Sequence, residues 1–393
     1  MIDGETTSEW TPLRDAFAAV IGSDEAGASL AIVRDGELVV DLWGGVDPLS
    51  GTPWQRDSVT LTFSTAKGVL ALLAAMEMEA GRLDPAAPVA HYWPEFAANG
   101  KADITVGDVL THTAGLPVLP MASTSDLLDP IGLAEKIAAE PPSYRPRSAR
   151  IYHVLSYGTL VAEILRRITG DDLAALTRRR LAEPLGGTLW FGMPEGSAAR
   201  YRPALMGPVE HPPVPVADGD SESARACRAA YRANAQIIPL FERVDGVIGT
   251  EPMNGADFLG AQVGGGGLVA DARSIARMYG ACVAEVDGIR LLQPATVERV
   301  SSDQLGGIAE PVCLPGAVPT TRWGWGFELS HPPCRMLGEG SFGHAGMGGR
   351  LSFASTPERL GFSFVGQRMV FPEPGADPRW RVLLDAVERV LRR

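Results

Sequence analysis

Little in this chain is positively charged, sulfur-rich or continuously apolar, and each shortage removes a class of function. Lys and Arg number 35 against 47 Asp and Glu, a formal charge of −12. That balance argues against a surface for nucleic acid or an anionic membrane, both of which need clustered cations, and neither partner is expected. No apolar run reaches the roughly 18 residues that a membrane-spanning helix needs. The opening MIDGETTSEW carries neither a basic nor an apolar leader region, which predicts a cytoplasmic protein. The four cysteines, Cys227, Cys282, Cys313 and Cys334, show no C-x-x-C spacing and read as reduced thiols rather than a disulfide framework. Six histidines are scattered without an H-E-x-x-H or similar cluster, so no metal is expected. No cofactor is expected either, because there is no strand–G-x-G-x-x-G–helix unit and no Walker loop. No serine has glycine at both −2 and +2, which sets aside the G-x-S-x-G elbow of ordinary α/β-hydrolases.

What remains is an ordinary globular composition, 45 % hydrophobic and 21 % charged over 393 residues, enough for one large or two interlocked domains. Residues 28–45, ASLAIVRDGELVVDLWGG, give two β-rich runs around Asp35-Gly36, a hairpin signal. β character returns only in RWGWGFELS, RLSFAST and ERLGFSFVGQ, the last two joined by a turn at Thr356-Pro357-Glu358. Helical periodicity marks 8–21, 64–80, three stretches within 132–187, 271–286 and the C-terminal PRWRVLLDAVERVLRR. Strands at both ends with helices between predict an α+β fold. One antiparallel sheet is built from both termini and flanked by helices, residues 1–66 plus 262–393, around a mostly helical insertion, 67–261. Within the insertion the Pro-rich stretch 203–220 opens a segment, 203–260, that is a candidate lid.

LTFSTAKGVLALLAAMEMEAG (61–81) sets Ser64 and Lys67 three residues apart at the front of an apolar helix. That spacing puts both on one face, about one turn apart. A serine hydroxyl is a poor nucleophile until a neighbour takes its proton. A lysine can do so only where burial or nearby positive charge lowers its pKa, and GVLALLAAMEME supplies an apolar setting. The helix N-terminus would add N–H groups for a developing oxyanion. Alone, the pair also reads as an N-capping serine and a lysine that snorkels to solvent. Two other stretches bear on the choice. PRSARIYHVLSYGTLVAEIL places Tyr152 between a Pro-rich turn and a helix, and GEGSFGHAGMGGRLSFAST places His344-Ala345-Gly346 on a strand of small residues. Small residues there would let backbone approach a substrate closely.

The ordered triple of S-x-x-K, tyrosine and basic-x-Gly, with ITVGDVLTHTAGLP, EPLGGTLWFGMPEG and VGGGGLVADARSIARMYGA, resembles the serine β-lactamase and penicillin-binding-protein superfamily. It is most similar to the class C β-lactamase-like branch that includes family VIII carboxylesterases and related transacylases. The resemblance covers most of the chain. It implies Ser64 as the acyl-forming nucleophile, Lys67 as its proton acceptor and Tyr152 as the proton shuttle to the leaving group. It also implies that His344 and Gly346 line the substrate cleft, and that the backbone N–H groups of Ser64 and Met347 form the oxyanion hole.

Two departures from the family pattern bear on the substrate. Class C β-lactamases carry Y-x-N, whose Asn helps bind the β-lactam amide. Here the position two after Tyr152 is Val154, which has no side-chain hydrogen bond to offer. The family lysine of K-[ST]-G is replaced by His344, a weaker partner for an anion at pH 7. Both changes favour esters and neutral acyl groups over penicillins. The resemblance therefore implies a serine esterase of carboxylesterase type acting on small ester or amide substrates. The alternative is a transacylase passing the acyl group to an amine or alcohol; a β-lactamase, a D-amino peptidase and an inactive binding protein are further alternatives. Trp325, or its alternating neighbour Trp323, is a candidate cleft wall. Arg350 is a candidate partner for an acidic substrate group, with a solvated strand-end charge as its alternative. His112 in THTAGLP reads as a structural residue of a buried turn.

Overall fold

The structure is a computed structural model that describes residues 1–24, 26–206, 219–241, 252–311, 313, 322–332, 334–371 and 377–393. Seven strands make the main sheet: β1 Ile2–Thr6, β2 Ala28–Arg34, β3 Glu37–Gly44, β4 Glu328–Leu329, β5 Ser341–Gly346, β6 Arg350–Ser355 and β7 Leu360–Gly366. Their order is β1-β3-β2-β7-β6-β5-β4, and every neighbouring pair is antiparallel. The β2–β3 turn uses Asp35 at φ 50 and Gly36 at φ 90, the left-handed pair that matches the twist of a two-residue hairpin. The central β2–β7 pairing, with Ile32 opposite Phe362, fuses the two ends of the chain. RWGWGFELS is the exception to the expected strands. Only Glu328–Leu329 is extended in the ladder, because Gly326 turns the chain at φ 87 just before it.

Five helices matter for the site: α1 Pro12–Asp24, α2 Thr65–Glu79, α3 Ser156–Thr169, α4 Ala272–Val283 and α5 Pro378–Leu391. Strand alternation divides the core. Leu30, Ile32, Leu42, Phe353, Phe362 and Phe364 face α1 and α5, meeting Phe17, Trp380 and Leu383. Ala31, Val33, Ala354 and Val365 point the other way and share one core with α4 and the helical region. α2 is buried along nearly its whole length, as its central run GVLALLAAM, apolar on every face, requires. Among the described residues no helix is long and apolar enough to cross a membrane.

One expectation is corrected. Cys227 and Cys313, 86 positions apart in sequence, form a disulfide with Cα atoms 5.0 Å apart, while Cys282 and Cys334 are buried free thiols. A pairing over that separation has no local spacing motif to announce it. Of the candidate lid, residues 207–218 and 242–251 lie outside the described residues. Its described parts include the helix Glu222–Ala235, which carries Cys227, and short helical turns at Ile238–Phe241 and Pro252–Asn254.

Candidate active site

The turn into α2 is set by Phe63, held at φ 51, a left-handed conformation that a bulky residue adopts only when its surroundings impose it. Ser64 follows as the N-cap by position, but its side chain makes no capping bond. Its Oγ lies 3.1 Å from Lys67 Nζ instead. Lys67 does not snorkel: it is 0 % exposed, and its amine also donates to the Gly265 carbonyl at 2.6 Å. Burial brings its pKa down to about 7, because an ammonium in an apolar setting loses its hydration. A large share of the amine is therefore neutral near pH 7 and able to take a proton.

Tyr152 stands across from this pair. Its ring centroid is 5.0 Å from Lys67 Nζ, and its hydroxyl is hydrogen-bonded to Ser64 and lies 3.5 Å from His344 Nε2. Burial raises its pKa, so at neutral pH the phenol keeps its proton. Aromatic packing holds it. His112, at φ 61 and fully buried, lies 4.8 Å from the rings of both Tyr152 and Tyr157, and its Nδ1 accepts the His153 N–H at 2.9 Å. His153 turns away, its Nε2 accepting from the Leu116 N–H at 3.1 Å.

His344 projects from β5. Its Nδ1 is 2.6 Å from the Ala345 carbonyl, so that nitrogen carries the hydrogen and Nε2 keeps a lone pair toward Tyr152. Burial is the main force on its pKa and brings it to about 4, against the opposing pull of Glu328. The imidazole is neutral at pH 7. Gly346 is required by space: a Cβ there would sit 2.3 Å from the Thr62 carbonyl oxygen and 3.1 Å from Thr65 Cγ2. Without a side chain, β5 can press against the turn that carries Ser64.

Beside Ser64 lies an apolar cavity of about 40 Å³, lined by Phe63, Val154, Leu240, Phe241, Met253, Phe258 and Met347, among others. A larger cavity of about 640 Å³ opens between Arg290, Asp303, Arg322 and Glu339, and none of the catalytic candidates lines it. The structure thus brings Ser64, Lys67, Tyr152, His344, Val154, Gly346 and Met347 together. It places two candidates elsewhere. Trp325 packs on α-helical Gly107, within 2.5 Å of where a Cβ would be, while Trp323 is the ring beside Tyr152 and His344. Arg350 is neither solvated nor in the cavity: it is 0 % exposed and donates to the carbonyls of Met347, Gly348 and Gln367, bracing the turn after β5. Sequence reasoning missed the Gly265 carbonyl, for which the run at 264–267 was the available signal, and Glu328, for which there was none.

An antiparallel sheet fed from both termini, with a buried Ser–Lys helix pressed against it, defines the β-lactamase and transpeptidase class of fold. The chain belongs to the Beta-lactamase family, whose sequence model matches residues 13–387. It is 34 % identical over 367 residues to Esterase/beta-lactamase LipL of Mycobacterium tuberculosis, covering 91 % of this chain and 81 % of that protein. The crystal structure of a family VIII carboxylesterase superposes with a TM-score of 0.83 at 30 % identity, covering 99 % of this chain and 100 % of that one. A penicillin-binding-protein homologue from Caulobacter crescentus matches with the same TM-score, 0.83, the same 30 % identity and the same coverages, 99 % and 100 %.

Proposed function

We propose that this protein is a serine hydrolase of carboxylesterase type that works through an acyl-enzyme on Ser64. The observation that carries the reading is Lys67: a fully buried amine, 3.1 Å from the Ser64 hydroxyl, with a pKa near 7. Neutral Lys67 takes the Ser64 proton as Oγ attacks the ester carbonyl. The N–H groups of Ser64 and Met347 hold the oxyanion. As the intermediate collapses, the Tyr152 hydroxyl gives its proton to the leaving alkoxide and regains one from the Lys67 ammonium. Water then enters where the alcohol left, and the same transfers in reverse free Ser64.

Substrate preference follows from what faces the cavity. Val154 offers no amide to a β-lactam side chain, and neutral His344 offers no cation to its carboxylate. The apolar cavity suits a small, uncharged acyl group. The names of LipL as an esterase/β-lactamase and of the solved neighbour as a carboxylesterase support the same reading. A second reading, acyl transfer to an amine or alcohol, is favoured by the apolar wall of Leu240, Phe241, Met253 and Phe258 beside Ser64, since excluding water favours transfer. The cytoplasmic expectation rested partly on four reduced cysteines, and the Cys227–Cys313 bond withdraws that support.

The test is a burst-phase assay with p-nitrophenyl acetate and butyrate against a chromogenic cephalosporin, with Ser64→Ala alongside. Ester turnover with little cephalosporin cleavage, abolished in the variant, is the expected result. Strong cephalosporin cleavage would make the protein a β-lactamase, and a new amide on adding an amine would make it a transacylase. Full activity in Ser64→Ala would point to another nucleophile.

A further inference from the structure

β4 is two residues long, yet it delivers a buried carboxylate to the back of the site. Glu328 is 8 % exposed, and both of its oxygens are engaged. Oε1 accepts from His331 Nε2 at 2.9 Å, and Oε2 accepts from the Ala345 N–H at 2.9 Å. Oε2 also lies 3.9 Å from His344 Nδ1. Burial opposes the charge, but His331, His344 and the Ala345 N–H outweigh it and hold the carboxyl at about 2. Glu328 is an anion at neutral pH, buried beside the imidazole whose Nε2 lies 3.5 Å from the Tyr152 hydroxyl.

Several groups face that imidazole. Lys67 comes from α2, Tyr152 and Arg150 from the segment before α3, His112 from the turn after Val106–Leu110, and Glu328 from β4. Lys67 and Arg150 oppose its protonation; among these charged side chains Glu328 alone favours it. The hydrogen on Nδ1 points to the Ala345 carbonyl, on the residue whose N–H Glu328 anchors. Nε2 is left as an acceptor 3.5 Å from the Tyr152 hydroxyl, a separation that substrate binding commonly shortens.

We propose that Glu328 is a positioning residue for proton transfer: by holding the Nδ1–H tautomer of His344 and facing its imidazolium, it makes His344 the proton acceptor of Tyr152, a second relay beside Lys67. The step balances. As Ser64 Oγ bonds to the acyl carbon, the Ser64 proton passes to Tyr152 Oη while the original Tyr152 proton passes to His344 Nε2. One O–H bond breaks and one forms at the phenol, the carbonyl π pair becomes the oxyanion lone pair, and the imidazolium stands against Glu328. On collapse the proton returns through Tyr152 to the leaving oxygen. The inference rests on the acyl-enzyme reading above.

The two relays separate by pH. Lys67 is increasingly an ammonium below about 7, whereas His344 stays neutral down to about 4. Acylation that persists between those values runs through His344. The experiment is the pH profile of the p-nitrophenyl acetate burst in wild type, Glu328→Gln and Glu328→Asp. Glu328→Gln is expected to lower the burst rate constant on the order of tenfold more near pH 5.5 than near pH 8.5, with the substrate concentration for half-maximal burst rate little changed, and Glu328→Asp to restore part of it. An equal loss at both pH values, or none, overturns the inference. A wild type without a Ser64-dependent burst fails the functional reading instead. Should Glu328→Gln not fold, ¹⁵N NMR of His344 in wild type and Glu328→Asp decides: a hydrogen on Nε2 in the wild type, or an unchanged Nδ1–H population in the variant, overturns the inference, and a reduced Nδ1–H population in the variant upholds it.

Discussion

An ammonium at Lys67 is stranded: the residue is 0 % exposed, and its amine meets the Ser64 hydroxyl and the Gly265 carbonyl with no carboxylate among its hydrogen-bond partners in the described residues. Its pKa falls from 10.5 to about 7 on folding, and each unit corresponds to about 1.4 kcal/mol. The sign follows from proton counting. Between about 7 and 10.5 the unfolded chain binds the proton and the folded one does not, so stability rises with pH across that window. Below it both states are protonated and the burial cost is complete. Lys67→Met keeps the length and removes the charge. It is predicted to be inactive yet more stable than wild type by about 2–4 kcal/mol near pH 6.5, after allowing for the lost bonds, with the gain shrinking toward pH 10. Urea unfolding at the two pH values checks this, and a gain that does not change with pH would contradict a buried ammonium. Wild-type ester turnover should rise with pH through about 7 for the same reason. Ser64, Lys67, Tyr152 and His344 were legible because each is a side-chain type with a spacing or a sequence context. The Gly265 carbonyl was not, since any residue carries one. Nor was Glu328, whose place in GFELS reads as ordinary strand alternation.

Between elements, α3 and the glycine run under the site meet backbone on backbone. A Cβ on Gly158 of α3 would lie 1.9 Å from the Gly265 nitrogen and 2.3 Å from the Gly264 carbonyl carbon. That approach is what sets the Gly265 carbonyl against Lys67 Nζ. Gly158→Ala must therefore push the glycine run away from α3. Overpacking of this kind costs about 1–3 kcal/mol, and the displaced carbonyl weakens the amine's anchorage. The variant is predicted to unfold at lower urea and to lose kcat more than KM; wild-type kcat in Gly158→Ala would refute the link between this packing and Lys67. The elements were read from the sequence where period and turn chemistry agree. Asp35-Gly36 marks the β2–β3 hairpin, and the apolar run after Ser64 marks α2. They were misread where glycine interrupts an aromatic alternation. Gly324 and Gly326 break RWGWGFELS, so that Trp323 packs at the site while Trp325 turns to Gly107. Edge strand β1, IDGET, has its alternate residues exposed and leaves only a weak signal.

At the scale of the whole molecule, the sheet ties the two ends of the chain together and the Cys227–Cys313 bond ties two segments of its middle. The bond lies beside a small core of Tyr144, Ala149, Ile151, Ala226, Ala229 and Ala230. The stretch before Cys313 also reaches the segment that carries Tyr152, because the Arg150 N–H donates to the Ala309 carbonyl at 3.0 Å and its guanidinium to Glu310 at 2.7 Å. The disulfide therefore steadies the chain that presents Tyr152. Closing a loop of 86 residues corresponds to up to about 4.6 kcal/mol in the chain-entropy account, and about 2–4 kcal/mol is typical of measured bonds. Denatured without reductant, the protein should expose two reactive thiols, Cys282 and Cys334, and all four only after reduction. Reduction, or Cys227→Ala with Cys313→Ala, should lower stability by about 2–4 kcal/mol. It should also lower kcat for the ester, because Tyr152 loses part of its support while Ser64 and Lys67, at the start of α2, keep theirs. Four thiols reacting before any reductant is added would restore the reading of four reduced cysteines. They would leave the Arg150–Glu310 pair as a side-chain tie between that stretch and the segment of Tyr152.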